Sequence, residues 1–329
     1  MLTKLFNSNS IGSLAILIML AIALWAKAFV NIVPMDGPFV ASPLYNFVFR
    51  NIGDLKIICA FITIALLVFE ALLINYILAG NDLIPRNSYM AAFIFIIVTG
   101  LFNDLIILNP VVFSNLFIIA ALWLFLRLYE ETEAYAIVFN IGTLVSAASM
   151  FYFPSVIFIL LIWAGFIIYR LFSWREWLIS IIGLTLPYLF LGTYYFWNDC
   201  LTAKILSYKE AFGFINFYDF SPTVYVYIVI AFLGLLLLLS VFNLLSIINE
   251  KPIRIRKSIS FMIWFLIISF LSLNLSSNFR ALGFVMMFTS FTVLLTLYIS
   301  YSKKPLWVEG ILMLLSFLLI SGRLGLWNF

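Results

Sequence analysis

The apolar residues of this chain fall into blocks of about 20, separated by short polar segments. A block of that length crosses the hydrocarbon core of a bilayer as one helix. Hydrophobic residues make up 65% of the chain and charged residues only 10%, whereas a soluble domain carries about 25% charged residues. Such a composition suits lipid rather than water. The sequence therefore predicts an all-α, polytopic transmembrane helical bundle.

About eleven membrane spans are expected from apolar length and from the polar residues between the blocks. They cover approximately residues 11–29, 55–79, 88–107, 111–128, 134–150, 154–172, 176–196, 223–248, 258–275, 281–301 and 306–321. The segment 134–150 is short and carries small and polar residues, which favour a helix packed among other helices. A re-entrant or interfacial element is the alternative for that segment.

The N-terminal segment resembles a signal peptide, because Lys4 precedes an apolar run and Ala26-Lys27-Ala28 looks like a cleavage site. The run is long and further spans follow it, so we expect a retained first helix. No polar stretch exceeds about 25 residues, which is too few for an independent core. Residues 1–329 are therefore expected to form one integral membrane domain.

The basic residues predict the orientation of the helices. If the N-terminus is cytoplasmic and the spans alternate, most of the 18 Lys and Arg residues, including the cluster at 251–257, lie in cytoplasmic loops. The positive-inside rule then favours a cytoplasmic N-terminus and an external C-terminus. A multi-pass protein of the inner membrane is expected, with membrane lipids as its first partners.

Two loops on the outer side are the longest, at residues 30–54 and 197–222. Within the first, residues 42–49 are predicted to form a short helix on the membrane surface. The second mixes aromatic residues with charged ones, which is typical of an amphipathic segment at the level of the lipid headgroups. We expect the protein to act at this outer face.

Histidine is absent from the chain. This excludes haem and other His-ligated metals, histidine proton relays and Ser-His-Asp triads. The cofactor stays unknown; a divalent cation is compatible with the sequence, but no metal site is predicted. The small net charge of +4 lies in short loops and does not indicate a nucleic-acid partner. Cys59 and Cys200 define no disulfide framework.

Glu70 and Asn75 are polar residues at membrane depth, in the second span. Ionisable groups in that position are expensive and often functional, and here they could line a transport path. The alternative is that Glu70 pairs with a neighbouring helix for packing.

Two acidic residues, Asp36 and Asp104, are candidates for catalysis. Asp36 lies in a Gly- and Pro-rich segment of the first outer loop, where a carboxylate can act as a base or hold a cation. Asp104 lies at the end of the third span. Because Asp and Asn are common in turns, both residues have a purely structural alternative.

Five basic residues are expected near the outer headgroup plane, Arg50, Lys204, Lys209, Arg280 and Arg323, and the first four are the candidates for phosphate binding. Arg binds phosphate as a two-pronged donor and Lys binds it as a point charge, so a converging set could hold a lipid-linked phosphate. The alternative is that these residues anchor helix ends to ordinary phospholipids.

The order of spans and loops, the length, and the Ile-, Phe- and Asn-rich composition resemble a family of uncharacterised polytopic membrane proteins of Bacteroidota. Relatives of this kind are at times labelled carotene-cleaving oxygenases. Those enzymes hold iron with histidines, and this chain has none. That label is therefore rejected.

The chain also has an architectural likeness to the GT-C superfamily of membrane glycosyltransferases. The likeness lies in the order of Asp36, the segment 42–49, the tight connection 103–110 and the loop 197–222. The usual pair of acidic residues in the first outer loop is absent, because Asp36 stands alone. The likeness implies a GT-C-like plan and a polyprenyl-linked sugar substrate at the periplasmic face, whereas the activity itself does not transfer with a fold.

Three functions stay open from the sequence. In the first, Asp36 or Asp104 deprotonates an acceptor hydroxyl while Arg280, with Lys204 or Lys209, holds the donor phosphate of a lipid-linked sugar. In the second, the chain is a non-catalytic subunit or scaffold with membrane protein partners in the cell envelope. In the third, it is a transporter or flippase in which Glu70 and Asn75 line the path.

Overall fold

The computed structural model describes residues 6, 11–26, 37, 39, 41–102, 107–128, 134–170, 173–211, 223–274, 284–302 and 304–323. Within these residues all regular structure is helical. The α-helices are α1 Ile11–Trp25, α2 Pro43–Ile52, α3 Lys56–Gly80, α4 Met90–Gly100, α5 Pro110–Arg127, α6 Tyr135–Phe151, α7 Ile159–Tyr169, α8 Trp174–Trp197, α9 Leu201–Ala211, α10 Val224–Ile247, α11 Ile253–Asn274, α12 Phe284–Tyr301 and α13 Pro305–Arg323. Short 3₁₀ segments, Phe153–Phe158 and Ile248–Glu250, precede α7 and follow α10.

Seven helices of the described residues are long and apolar enough to cross a membrane: α3, α5, α8, α10, α11, α12 and α13. Four shorter apolar segments accompany them, at Ile11–Trp25, Met90–Gly100, Tyr135–Phe151 and Phe153–Tyr169. Each of the predicted spans overlaps one of these helical segments, but only seven of the segments have the length and composition of a membrane span. Helix length supports a crossing for the seven long helices, so the architecture is that of a multi-pass membrane bundle.

The interior of the bundle is formed by α4 and α12. Every residue of α4 is buried, and most of α12 is buried as well. By contrast, α8 buries only Glu176, Ser180 and Gly183. Large apolar side chains stay exposed along α8, α10 and α13. Exposed apolar side chains are typical of helix surfaces that face lipid, so these three helices form the outer, lipid-facing flank of the bundle.

Hydrogen bonds between distant segments define the two ends of the bundle. At one end, Arg323 donates to the carbonyl of Gly100 at 3.0 Å and the Tyr225 hydroxyl donates to the carbonyl of Leu101 at 3.2 Å. At the opposite end, Arg254 donates to Asn81 Oδ1 at 3.0 Å. The segment around Gly100 and the segment around Asn81 therefore lie at different ends of the bundle.

The N-terminus of α5 shows how local sequence starts a helix. The Asn109 side chain accepts hydrogen bonds from the backbone N–H groups of Val111 and Val112, both at 3.1 Å. Pro110 occupies the first helical position, where its missing N–H is harmless. Asn109 and Pro110 thus form a helix cap.

One boundary was predicted wrongly. The basic residues Arg254, Arg256 and Lys257 were placed in a loop ahead of a span at 258–275, but α11 already begins at Ile253. Arg and Lys have high helix propensity, so the basic segment continues the apolar helix rather than interrupting it.

The tight contact between α6 and α8 depends on two glycines. A Cβ at Gly142 would lie 2.7 Å from the carbonyl oxygen of Ser180, and a Cβ at Gly183 would lie 2.5 Å from that of Phe139. Small residues permit such close approach of helix backbones. The helix α6 is packed between α5 and α8, as expected for the small and polar residues of segment 134–150.

Candidate functional site

The amphipathic helix α2 forms the first wall of the candidate site. Tyr45 faces the bundle, where it is fully buried and its hydroxyl donates to the carbonyl of Leu108 at 3.4 Å. Phe47, on another face, is 67% exposed. The surface helix predicted at 42–49 is therefore present as α2, with one side on the bundle and the other turned outward.

The helix α9 forms the second wall. Tyr208 anchors it, with its ring 5.2 Å from Phe153 and 6.3 Å from Tyr188. Burial raises the pKa of Tyr208, and the phenols of Tyr188 and Tyr195 raise this pKa further, so its hydroxyl stays neutral. Lys204 lies one turn earlier on the same face of α9, and its Nζ lies 5.6 Å from the centre of the Tyr195 ring.

A cleft of about 860 Å³ lies between α2, the end of α8 and the start of α9. It is lined by Pro43, Leu44, Asn46, Phe47, Phe49, Arg50, Leu191, Tyr194, Tyr195, Asn198, Cys200 and Lys204. A smaller cleft of about 310 Å³ shares Pro43, Asn46, Tyr195 and Lys204 with it. Because they share these walls, we treat the two as one α2–α9 groove.

The chemistry of the α2–α9 groove is cationic and aromatic. Arg50 and Lys204 supply its charges, and no Asp or Glu is among its described lining residues. Phe47, Tyr194 and Tyr195 supply broad apolar surfaces. Such a groove can bind an anion that is attached to an apolar or sugar group.

Asn46 fixes the first loop to α2. Its Nδ2 donates to the carbonyl of Phe39 at 2.8 Å, and its Oδ1 accepts from the backbone N–H of Phe39 at 3.0 Å. Phe39 lines the smaller part of the groove. Asp36, three residues earlier in the sequence, lies outside the described residues.

The structure brings together two of the four predicted phosphate-binding residues, Arg50 and Lys204. Lys209 is on the same helix as Lys204 but does not line the groove, because five residues turn it about 140° around the helix axis. Arg280 and Asp104 lie outside the described residues. Their predicted roles stay predictions.

Glu70 and Asn75 lie in the protein interior instead. Glu70 is fully buried, and its Oε2 accepts a hydrogen bond from Asn115 Nδ2 at 3.0 Å. Asn75 Nδ2 donates to the carbonyl of Ser88 at 2.8 Å. Neither residue lines the α2–α9 groove. Both side chains connect neighbouring segments in this structure.

Sequence reasoning missed the face of α2 that lines the groove. Pro43, Asn46, Phe47 and Arg50 all line it, and their spacing of three and four residues places them on one helix face. That spacing was visible in the sequence. The contribution of Tyr195 was not, since an aromatic residue at the end of a span is ordinarily explained by the membrane interface.

Metal ligands are sparse in the part of the chain that the structure describes. It contains no group of three or more Cys, Asp or Glu side chains that could hold a metal ion. Asp36 and Asp104 are outside this search.

The seven long apolar helices define a multi-pass helical membrane protein. No family model, curated protein or solved structure matches this chain.

Proposed function

We propose that this protein binds the phosphate of a polyprenyl-linked sugar in the α2–α9 groove and acts in the assembly of a cell-envelope glycan. The observation that carries the proposal is that Arg50 and Lys204, from separate helices, line one aromatic groove. The proposed GT-C-like plan also has a site for a lipid-linked donor at the periplasmic face.

The groove matches such a ligand in charge and size. A guanidinium and an ammonium together neutralise a phosphate, and each contributes charge-assisted hydrogen bonds. The volume of about 860 Å³ falls in the range of small-molecule sites. Phe47 and Tyr194 are 67% and 64% exposed, and they offer surfaces on which an isoprenoid chain or a sugar ring can pack.

The proposed topology has eleven spans in the inner membrane, a cytoplasmic N-terminus and an external C-terminus. It counts the four shorter apolar segments as crossings. The gathering of Arg254 and Asn81 at the end opposite to Gly100 and Arg323 supports it. The α2–α9 groove would then face the periplasm.

In the catalytic form of the proposal, Asp36 or Asp104 deprotonates an acceptor hydroxyl and Arg280 adds a third contact to the donor phosphate. The acceptor oxygen then attacks the anomeric carbon while the bond to the phosphate oxygen breaks, and the lipid phosphate leaves. A divalent cation could assist the departure of that phosphate.

The native cysteines supply a direct test of binding. Cys200 lines the groove and is exposed, whereas Cys59 is only 2% exposed. In detergent solution, undecaprenyl phosphate should slow the alkylation of Cys200 by a maleimide. Undecaprenol, which lacks the phosphate, should protect much less.

Variants of Arg50 and Lys204 test whether these two cations cause the protection of Cys200. Arg50→Gln or Lys204→Gln should each weaken protection about tenfold, which is the loss expected for one charge-assisted contact. Lys209→Gln is the matched control on the same helix and should protect like the wild type. Equal protection by undecaprenol, or unchanged protection in both groove variants, would refute the proposal.

Two other functions make different predictions. A scaffold should co-purify with membrane protein partners in stoichiometric amounts and show no phosphate-dependent protection of Cys200. A transporter needs a path that reaches Glu70, yet Glu70 is fully buried against Asn115 in this structure. Burial of Glu70 therefore counts against the transport hypothesis.

A further inference from the structure

A second pocket lies at the opposite end of the bundle, away from the α2–α9 groove. Its volume is about 540 Å³, and it lies where α10 and α12 end and α13 begins. Its lining comprises Asn243, Ile247, Glu250, Lys251, Tyr298, Tyr301, Ser302, Lys304 and Trp307. We call it the basic-aromatic pocket.

Lys251 is held in place by an aromatic ring. Its Nζ lies 3.9 Å from the centre of the Tyr301 ring, and the Tyr301 hydroxyl donates to the carbonyl of Leu83 at 3.3 Å. A cation over a ring face is attracted to the ring, and this contact does not require its N–H groups to donate to an oxygen atom. Lys251 can therefore still donate to an anion in the pocket.

Tyr298 and Lys304 add further hydrogen-bond donors to the basic-aromatic pocket. Trp307 Nε1 donates to the Tyr298 hydroxyl at 3.1 Å. This bond uses the hydroxyl oxygen as an acceptor, so the hydroxyl proton remains able to donate to a ligand. Lys304 is exposed on the pocket rim. With Glu250 included, the lining has a net charge of one positive unit.

Apolar surface continues from the pocket along the flank. Leu239 and Leu235 lie one and two turns from Asn243 on α10, and they are 40% and 55% exposed. Leu314 lies two turns from Trp307 on α13 and is 53% exposed. A soluble phosphate would leave this surface without a role, whereas acyl chains would cover it.

We propose that the basic-aromatic pocket binds the phosphate of an anionic phospholipid. Lys251 and Lys304 contact the phosphate, Tyr298 donates to a headgroup oxygen, and the acyl chains lie along α10 and α13. Basic pockets between helices at a membrane surface commonly bind such headgroups. This site is separate from the proposed glycan-lipid groove and does not depend on it.

The test measures lipid selectivity by native mass spectrometry. Purified protein is exchanged into mixed micelles that contain equal amounts of phosphatidylglycerol and phosphatidylcholine, and the bound lipids are counted. We expect phosphatidylglycerol to be favoured, and each of Lys251→Gln and Lys304→Gln to lower that preference about fivefold. Lys251→Arg, which keeps the charge, should retain it.

Two controls separate this site from its alternatives. Lys209→Gln removes a positive charge that lines neither the groove nor the basic-aromatic pocket, and it should leave the preference for phosphatidylglycerol intact. A large excess of glycerol phosphate should displace little of the bound lipid. The proposal is wrong if the two lysine variants keep the wild-type preference, or if glycerol phosphate alone competes as well as the lipid.

Discussion

Asn115 on α5 donates a hydrogen bond of 3.0 Å to Oε2 of the Glu70 carboxyl group on α3, deep inside the bundle. The Thr289 hydroxyl on α12 in turn donates to Asn115 Oδ1 at 2.9 Å. All three side chains are fully buried. Asn115 therefore connects three helices through one side chain.

This connection predicts that Asn115→Ala lowers the free energy of unfolding by about 1–3 kcal/mol, because it removes the buried hydrogen-bond donor to Glu70 and leaves the Thr289 hydroxyl only its longer bond to the carbonyl of Val285. Glu70→Gln should have a smaller effect, since the amide oxygen can still accept from Asn115. Unfolding in mixed detergent measures both. A double variant, Glu70→Leu with Asn115→Leu, removes both groups and should recover part of the loss; a fully additive loss would contradict this account.

Gly183 allows α8 to reach the backbone of α6. Gly183→Ala should destabilise the protein by about 1–3 kcal/mol, because the added Cβ overpacks a backbone contact. Gly192→Ala is the matched control on the same helix, since a Cβ there has no atom within 4 Å. Thermal unfolding should separate the two variants. Equal unfolding temperatures would show that α6 and α8 are not in tight contact.

Tyr208 anchors α9 through its ring rather than its hydroxyl. The hydroxyl is buried and has no hydrogen-bond partner among the described residues. Tyr208→Phe should therefore leave the protection of Cys200 by undecaprenyl phosphate unchanged. Tyr208→Ala removes the contacts with Phe153 and Tyr188 and should weaken that protection severalfold, while overall unfolding changes less, because α9 lies at the surface. An identical response of both variants would contradict the anchoring role.

The proposed catalytic acids can be tested in cells. One of the two variants Asp36→Asn and Asp104→Asn should abolish the glycan product without reducing the amount of protein in the membrane. The reason is that an amide cannot take the proton from the hydroxyl of the acceptor sugar. Asp82→Asn is the control, since Asp82 does not line the α2–α9 groove and pairs with Arg86 at 3.1 Å. Normal amounts of glycan in both variants would refute the catalytic form of the proposal and leave only the proposed binding of the lipid phosphate.

The helical membrane architecture was predictable because bilayer thickness fixes the length of each apolar block. The surface helix α2 was predictable for a different reason, because Pro43 and a short amphipathic segment follow an apolar span. The start of α11 was missed because charge was taken as a loop signal. Arg254 and its neighbours are compatible with both a helix and a loop.

The sequence indicated a set of basic residues that could converge, but it could not predict that Arg50 and Lys204 are two members that line one groove. These residues lie on helices whose relative position depends on how α8 packs against α6, and that packing depends on backbone contacts at Gly142 and Gly183. Sequence periodicity reports which residues share one helix face, but it says nothing of which faces meet. Lys204 and Lys209 illustrate this. They carry the same charge and lie on the same helix, but only Lys204 lines the groove.

The wide exposure of Phe47 and Tyr194 has a consequence for the concentration that governs binding of the proposed lipid. If the groove lies at the membrane surface as proposed, a lipid would enter it past these side chains from within one leaflet, without passing through bulk water. Its occupancy then follows the mole fraction of that lipid in the bilayer rather than its molarity. Diluting the membrane with inert phospholipid should empty the groove, whereas diluting the vesicles with buffer should not.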